Sequence, residues 1–119
     1  MKKYVNQWGI YVVDFGKSKG SVQQGVRLAI ILQNCIGNQF SPTTICVPTT
    51  TKHKNKIPTH YDLRGKEYDF LNDCTVLCEQ VTTIDVDSQV LCYKGMLKDI
   101  DRENLYNVFL NNFVLNTNT

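Results

Sequence analysis

Residues 20–33, GSVQQGVRLAIILQ, join a glycine-flanked loop to a continuous apolar run. The run from Arg27 to Gln33 has the length and composition of a strand buried on both faces. Arg27 stands where the loop meets this strand, and its guanidinium carries a planar fork of donors that fits phosphate oxygens. Taken alone, an arginine at a strand end is more often a plain surface residue.

A second strand favours the phosphate interpretation. Residues 43–47 are rich in β-branched side chains, and Pro48 is expected to end the strand. The threonines that follow, Thr49 and Thr50 among them, supply hydroxyl donors at this end. Arginine at one strand end and threonine at another together suggest phosphodiester chemistry. The alternative for Thr50 is a hydroxyl bonded to its own backbone.

The rest of the chain alternates short strands with turns. Loop 16–25 contains three glycines and is long enough to be mobile, and residues 34–41 are expected to form a turn. Further strands are predicted over residues 10–15 and 59–63, and residues 74–80 and 81–84 are expected to form one more strand or a strand pair.

Two helical signals complete the pattern. Residues 87–93 are expected to form a short helical turn. Residues 101–113 predict a helix with one apolar stripe, capped by Asp99 or Asp101. The stripe consists of Leu105, Val108, Phe109 and Phe113. Short strands before a terminal helix predict one mainly β, α+β domain over residues 1–119, built on a small curled sheet or partly open barrel.

Composition narrows the classes of protein that fit. The formal net charge of +2 is too small to indicate nucleic acid by itself. The basic run at residues 52–56 is local, and such a run is more often a solvated loop. No apolar stretch reaches the roughly 20 residues that span a bilayer, and an odd set of five cysteines lacks zinc-ligand spacing. We therefore expect a cytoplasmic protein with reduced, mostly buried thiols, no metal site and no membrane contact.

In their order and spacing, these segments resemble the MazF/PemK toxin family from about Trp8 to Leu115. No single block is specific, but the series is. The matching blocks are residues 10–11 with 14, 20–21 with 25–27, 31–34, 37–38, 41–43, 58–60, 79–81 and 83–85.

The resemblance implies an SH3-like, partly open small barrel with a C-terminal helix, as in MazF and CcdB, that forms a homodimer. It also implies a sequence-selective endoribonuclease toxin that cleaves single-stranded mRNA. Such cleavage would be metal-independent 2′-hydroxyl transphosphoesterification without a cofactor. A cognate antitoxin protein would inhibit it by occupying the RNA groove.

The resemblance also assigns roles to particular residues. Arg27 would stabilise charge and supply the acid, Thr50 would donate to a non-bridging phosphate oxygen, and Glu79 would accept a proton. A plain salt-bridging glutamate is an equal alternative for Glu79. The residues implied to bind RNA are Ser21, Gln23, Asn34, Thr49, Lys52, Lys54, Lys56 and Gln80, with Gln80 reading a base edge.

The sequence departs from the family pattern at four places. Val22 replaces a common glutamate, Leu28 a proline, and Thr82 an arginine, and Trp8-Gly9 stands where Gly-Asp is common. These changes remove a candidate base and one positive charge near the groove. They favour an alternative, a catalytically weakened or inactive RNA- or antitoxin-binding module. A third hypothesis is a poison of a protein target, as for the topoisomerase toxin CcdB, and the match at Arg27 and Thr50 speaks against it.

Overall fold

A computed structural model describes residues 3–52, 57–69 and 72–115. Its strands are β1 (Gly9–Asp14), β2 (Val26–Ile31), β3 (Thr43–Thr50), β4 (His60–Leu63), β5 (Cys74–Leu77), β6 (Thr82–Asp85) and β7 (Val90–Met96). The helices are α1 (Cys35–Phe40), α2 (Val86–Gln89) and α3 (Asp99–Leu110). Short 3-10 turns occupy Gly65–Glu67, Cys78–Gln80 and Asn111–Phe113.

The strands of the described residues form one antiparallel sheet in the order β4-β5-β3-β2-β1-β7, with β6 paired to β3. Strand β3 has three neighbours. Residues 43–46 pair with β6, residues 46–48 with β2, and Thr49 and Thr50 with β5. The last residues of β3 therefore join the β4–β5 hairpin to the rest of the sheet.

Both faces of the central strands are buried, as the apolar run at residues 27–33 predicts. Ala29, Ile30 and Ile31 are all fully inaccessible to solvent. Ile30 belongs to a core cluster that includes Leu105 of α3, and its neighbour Ile31 belongs to a second cluster that includes Val86 of α2. Because successive strand residues point to opposite faces, helices cover the sheet from both sides.

Pro48 does not end β3, which continues to Thr50. Proline lacks the N–H that a strand interior donates, so the sequence predicted a stop. At Pro48 the partner on one edge of β3 changes from β6 to β5, while Ala29 of β2 lies opposite on the other edge. A strand tolerates a missing donor at such a break in the ladder.

Two further local predictions were wrong. Residues 35–40 form a helix rather than a turn, with the Asn34 side chain accepting from the Gly37 N–H at its start. The helical turn predicted at residues 87–93 covers only α2, since β7 begins at Val90 and pairs with β1. Of the two alternatives for residues 74–84, one strand or two, the structure has two, β5 and β6, with a 3-10 turn at residues 78–80 between them.

Helix α3 begins two residues earlier than predicted and lacks the predicted aspartate cap. Its N-terminal cap is Lys98, whose side chain makes no capping bond. Asp101 is buried instead and accepts hydrogen bonds from the Tyr61 hydroxyl at 2.6 Å and the Tyr68 hydroxyl at 2.5 Å. The predicted stripe is buried at Leu105 but is 63% exposed at Phe113. Polar bonds as well as apolar packing thus attach α3 to the barrel.

Three of the cysteines are buried and two are exposed, in partial agreement with the prediction of buried thiols. Burial raises the pKa of the Cys46 and Cys78 thiols to about 12 and that of Cys74 to about 11. Cys35 and Cys92 are exposed and free. Within the described part of the chain, no helix has the length and apolar character needed to cross a membrane.

Candidate functional site

The loop between β1 and β2 is closed at its base by backbone hydrogen bonds. The Phe15 N–H donates to the Gly25 carbonyl at 2.9 Å, and the Gly25 N–H donates to the Gly16 carbonyl at 2.7 Å. Both glycines have positive φ, 68° and 78°, a region that glycine enters at little cost. These bonds place Arg27, two residues further on, at the start of β2.

Gln80 holds the tip of this loop. Its Nε2 donates to the Ser21 carbonyl at 3.0 Å, and its Oε1 accepts from the Gln23 N–H at 2.7 Å. The 3-10 turn Cys78–Gln80 carries this side chain, so the turn between β5 and β6 positions the loop. Since both ends of the Gln80 amide are engaged, this side chain fixes the loop in the free protein.

Arg27 and Thr50 line the same open cleft. The Arg27 Nε donates to the Gln24 carbonyl at 2.9 Å, which orients the guanidinium. The Thr50 Oγ1 accepts from the Lys52 N–H at 3.2 Å, although Thr50 is only 2% exposed. The cleft has a volume of about 250 Å³. Its lining residues are Gly20, Ser21, Val22, Gln23, Gln24, Arg27, Thr50 and Lys52.

The charge of this cleft is positive. Among the described residues that line it, the ionisable side chains are Arg27 and Lys52, both cations. Backbone and side-chain donors of the polar β1–β2 loop surround them. A fixed guanidinium, a hydroxyl donor and a second cation are the groups that bind a phosphate and stabilise charge on it.

Thr49 lies beside this cleft. Its hydroxyl donates to the Leu28 carbonyl at 2.9 Å, so its hydrogen is already committed within the sheet. Thr49 lines a neighbouring cleft of about 240 Å³ together with Arg27, Thr51 and Asn72. Arg27 therefore stands between two polar clefts.

The structure places Glu79 and Asn34 outside the lining of the Arg27–Thr50 cleft. The Glu79 Oε2 and the His60 Nε2 share a hydrogen bond of 2.9 Å, and the Thr59 hydroxyl donates to the Glu79 Oε1 at 3.4 Å. Asn34 caps α1 by accepting from the Gly37 N–H at 2.9 Å. Lys54 and Lys56 lie outside the described residues. Of the predicted site residues, Arg27 and Thr50 thus line one cleft, whereas Glu79 and Asn34 make hydrogen bonds elsewhere.

Sequence reasoning missed a third cleft, which adjoins the first at Thr50 and Lys52. It has a volume of about 350 Å³. Its lining includes Asp62 within β4, Arg64 directly after β4, and Asp73 directly before β5. Residues 64–67 read only as a polar turn, because no local pattern shows that the hairpin brings Arg64 beside Thr50.

Val22 and Thr82, two of the departures from the family pattern, line a common pocket of about 200 Å³. Apolar Phe15, Pro48 and Ile84 contribute to the same pocket. A glutamate at one position and an arginine at the other would therefore face the same space. This chain lacks both the glutamate and the arginine of the family pattern, so neither charge is left in the pocket without the other. Elsewhere in the described residues, no group of three or more histidine, cysteine, aspartate or glutamate side chains is arranged to hold a metal ion.

Comparison with known proteins assigns the family. The model of the PemK-like, MazF-like toxins of type II toxin–antitoxin systems matches residues 6–111, and the chain belongs to this family. Over 82 residues it is 43% identical to Endoribonuclease EndoA of Bacillus subtilis (strain 168), covering 68% of this chain and 71% of EndoA. The chain is a MazF-like endoribonuclease toxin, as predicted.

Solved structures confirm the predicted fold class. MazF of Deinococcus radiodurans matches with a TM-score of 0.77 at 14% identity, over 92% of this chain and 96% of that one. An endoribonuclease in complex with its cognate antitoxin from Mycobacterial species matches with a TM-score of 0.75 at 17% identity, over 94% and 99%. At these identities the likeness concerns the fold alone.

Proposed function

We propose that this toxin is a sequence-selective endoribonuclease that cleaves single-stranded mRNA in the cytoplasm, with the substrate's own 2′-hydroxyl as nucleophile. The observation that carries the proposal is the shared cleft of Arg27 and Thr50. It supports phosphodiester chemistry in a chain that is 43% identical to an endoribonuclease.

The reaction that fits this cleft needs little from the protein beyond charge stabilisation. The 2′-oxygen attacks the adjacent phosphorus, the bond from phosphorus to the 5′-oxygen breaks, and the leaving oxygen takes up a proton. The 2′-hydroxyl loses one proton, so the step balances and leaves a 2′,3′-cyclic phosphate. Negative charge builds up on the non-bridging oxygens of the pentacoordinate phosphorus, where fixed donors act most strongly.

Arg27 supplies the positive charge. Its Nε is held by the Gln24 carbonyl, which leaves the two terminal nitrogens of the guanidinium for a phosphate. A guanidinium keeps its proton at any physiological pH, so it is a poor general acid. We therefore assign Arg27 to charge stabilisation rather than to the acid role.

Thr50 supplies a neutral donor. The Lys52 N–H occupies one lone pair of the Thr50 Oγ1, and no described residue accepts the hydroxyl hydrogen, which we assign to a non-bridging oxygen. Burial at the end of β3 holds this donor in place before the substrate arrives. Lys52 then adds a phosphate contact at the rim of the cleft.

We assign Glu79 to positioning rather than to proton removal. Its carboxylate is bonded to His60 and Thr59, and the described lining of the Arg27–Thr50 cleft contains no acid. In this proposal, water takes the proton from the 2′-hydroxyl. Ser21 and Gln23 face the RNA from the loop, whose conformation Gln80 maintains.

The partners follow from the family. A solved relative is described in complex with its cognate antitoxin, and we propose that an antitoxin protein likewise inhibits this chain by covering the RNA groove. We also propose a homodimer. Phe113, Val114 and Leu115 are 63%, 71% and 86% exposed, and a self-complementary interface would bury such an apolar segment. Light scattering that shows a monomer at micromolar concentration contradicts the dimer.

The second candidate function is an inactive RNA- or antitoxin-binding module. Val22 favours it, since an apolar side chain lines the cleft where the family pattern has a carboxylate. The position of Thr82 speaks against it. Thr82 lines the neutral pocket that it shares with Val22 and does not line the Arg27–Thr50 cleft, so the loss of an arginine at this position leaves the lining of that cleft unchanged.

The test is to incubate a long single-stranded RNA with the wild-type protein in EDTA and to sequence the new 5′ ends. We expect cuts at one short motif, with 5′-hydroxyl ends, and no cuts by Arg27→Ala. Continued cutting by Arg27→Ala removes this residue from the mechanism. RNA that is bound and protected without new ends supports the inactive module.

A further inference from the structure

We propose that Arg64 binds a second phosphate of the RNA, one linkage away from the cleaved one, in the cleft that adjoins the Arg27–Thr50 cleft. This inference rests on the proposed function and extends it, because it identifies where the substrate strand continues beyond Thr50.

The two clefts are continuous. Thr50 and Lys52 line both of them, so a strand whose phosphate contacts Thr50 on one side meets the second cleft on the other. The cleft that contains Arg64, the third one described above and here called the second cleft, has a volume of about 350 Å³. It is larger than the Arg27–Thr50 cleft, which has a volume of about 250 Å³. A linear substrate that passes Thr50 therefore has room to continue here.

The second cleft offers an unpaired cation. Arg64 is exposed, and its guanidinium has neither a hydrogen bond nor an ion pair with any residue that the structure describes. The two acids of the same cleft are already engaged. The Asp73 Oδ1 accepts from the Gly65 N–H at 2.7 Å, and the Asp62 Oδ1 accepts from the Thr75 hydroxyl at 2.9 Å.

The backbone around Arg64 is fixed although its side chain is free. Asp73 bonds the next residue, Gly65, and the Glu67 N–H donates to the Arg64 carbonyl at 3.1 Å. A long cationic side chain on such a fixed base presents a fork of donors at a defined place. The chemistry that suits it is a phosphodiester oxygen pair of single-stranded nucleic acid.

The neighbouring acids limit what else can bind. Among the described residues that line this cleft, Asp62 and Asp73 offset Lys52 and Arg64, so their formal charges sum to zero. Broad attraction for polyanions therefore contributes little here. The contact depends on one phosphate reaching Arg64, which makes it sensitive to a single substitution.

The experiment measures binding, so that failure of cleavage does not decide it. A labelled random-sequence single strand with 2′-O-methyl groups cannot use its 2′-oxygen as nucleophile, and its dissociation constant is measured at several salt concentrations. The proteins are the wild type, Arg64→Gln and Lys66→Gln. Lys66 is exposed two residues away but lines neither cleft, so it is a matched control for loss of one positive charge.

We expect Arg64→Gln to bind several-fold more weakly at low salt. The slope of log affinity against log salt concentration is negative, and in Arg64→Gln it should be shallower by about 0.7, the value for one phosphate contact to a single strand. Lys66→Gln should keep the wild-type slope. An unchanged slope in Arg64→Gln, equal losses in both variants, or no binding by the wild type would each overturn the proposal.

A second measurement locates the contact along the strand. In a defined strand that contains the mapped cleavage motif, single phosphates are replaced by neutral methylphosphonates. The wild type should lose affinity when the linkage next to the cleaved one, on one side only, is neutral, and Arg64→Gln should not. If the wild type and Arg64→Gln lose equal affinity at every neutral linkage, Arg64 does not contact the phosphate backbone.

Discussion

Thr50 is the residue where the position of a single atom matters most. Its hydroxyl lies at the end of β3, is held by the Lys52 N–H at 3.2 Å, and lines the cleft with Arg27. We expect Thr50→Val, which keeps the shape and removes the donor, to lower kcat by about 10²- to 10³-fold, the usual cost of one preorganised donor.

Thr50→Ser is the matched control, because it keeps the hydroxyl, and it should retain activity within about tenfold of the wild type. Single-turnover cleavage of the mapped RNA gives the rates, and thermal unfolding of both variants shows whether the fold is intact. A fully active Thr50→Val would remove the hydroxyl from the chemistry.

Glu79 separates two mechanisms that the sequence left open. If Glu79 removed the 2′ proton, Glu79→Gln would cost about 10²- to 10⁴-fold in rate. Because its carboxylate is bonded to His60 and Thr59, we expect a loss of less than about tenfold, mainly in KM. Steady-state cleavage of the mapped RNA by the wild type and Glu79→Gln gives kcat and KM separately.

At the scale of elements, Asp101 attaches α3 to the barrel. Each of its oxygens accepts a hydrogen bond from one tyrosine hydroxyl, and burial together with this hydrogen bonding raises the pKa of both Tyr61 and Tyr68. In Asp101→Asn the amide nitrogen cannot accept, so one tyrosine hydroxyl loses the acceptor for its hydrogen. We expect a loss of about 1–3 kcal/mol in the free energy of unfolding.

Asp99→Asn is the control for that experiment, since Asp99 is exposed and bonds only weakly to Arg102 at 3.4 Å. Urea unfolding monitored by circular dichroism compares the two variants. Equal stability of Asp101→Asn and the wild type would show that apolar packing by Leu105 alone holds the helix.

The elements also show how far sequence reasoning reaches. The apolar run of β2 was predictable because burial on both faces leaves no polar residue among Ala29, Ile30 and Ile31. Strand β7 was not predictable as a strand, since Tyr93 and Lys94 are exposed and its place is set by pairing with β1, far away in sequence. Long-range pairing overrode local propensity there.

The site was predictable to a similar degree. The cleft that joins Arg27 to Thr50 followed from strand ends and from the resemblance. The role of Gln80 as the support of the loop did not, because its two hydrogen bonds cross 57 and 59 positions of sequence. Arg64 carried no local signal at all. Contacts made across the fold, rather than residue types, decide these roles.

At the scale of the whole molecule, buried thiols make stability depend on alkaline pH. Cys46, Cys74 and Cys78 have pKa values raised by burial from 9.0 to about 12, 11 and 12. Below pH 9 the thiols are neutral in both states, and their contribution to stability is complete. Above pH 9 the unfolded chain ionises first, so this contribution is lost as pH rises towards 11 and 12.

We therefore expect Tm to fall steadily between pH 9 and about 11, and Cys46→Ala to show a shallower fall. Differential scanning calorimetry under reducing conditions measures both. In the native state at pH 8, a thiol reagent should modify the two exposed cysteines, Cys35 and Cys92, much faster than the other three. Identical slopes of Tm against pH in the wild type and Cys46→Ala would contradict the assignment of this effect to Cys46.

The sharing of β3 among three neighbouring strands has an evolutionary consequence. Thr50 owes its location to pairing with Thr75 inside the barrel, whereas the surfaces on either side of it belong to loops and hairpin ends. In the proposed function, mutations can therefore remodel which bases are preferred while the Thr50 hydroxyl stays where the scaffold puts it. Descendants of such a gene can acquire new targets without having to reinvent their chemistry.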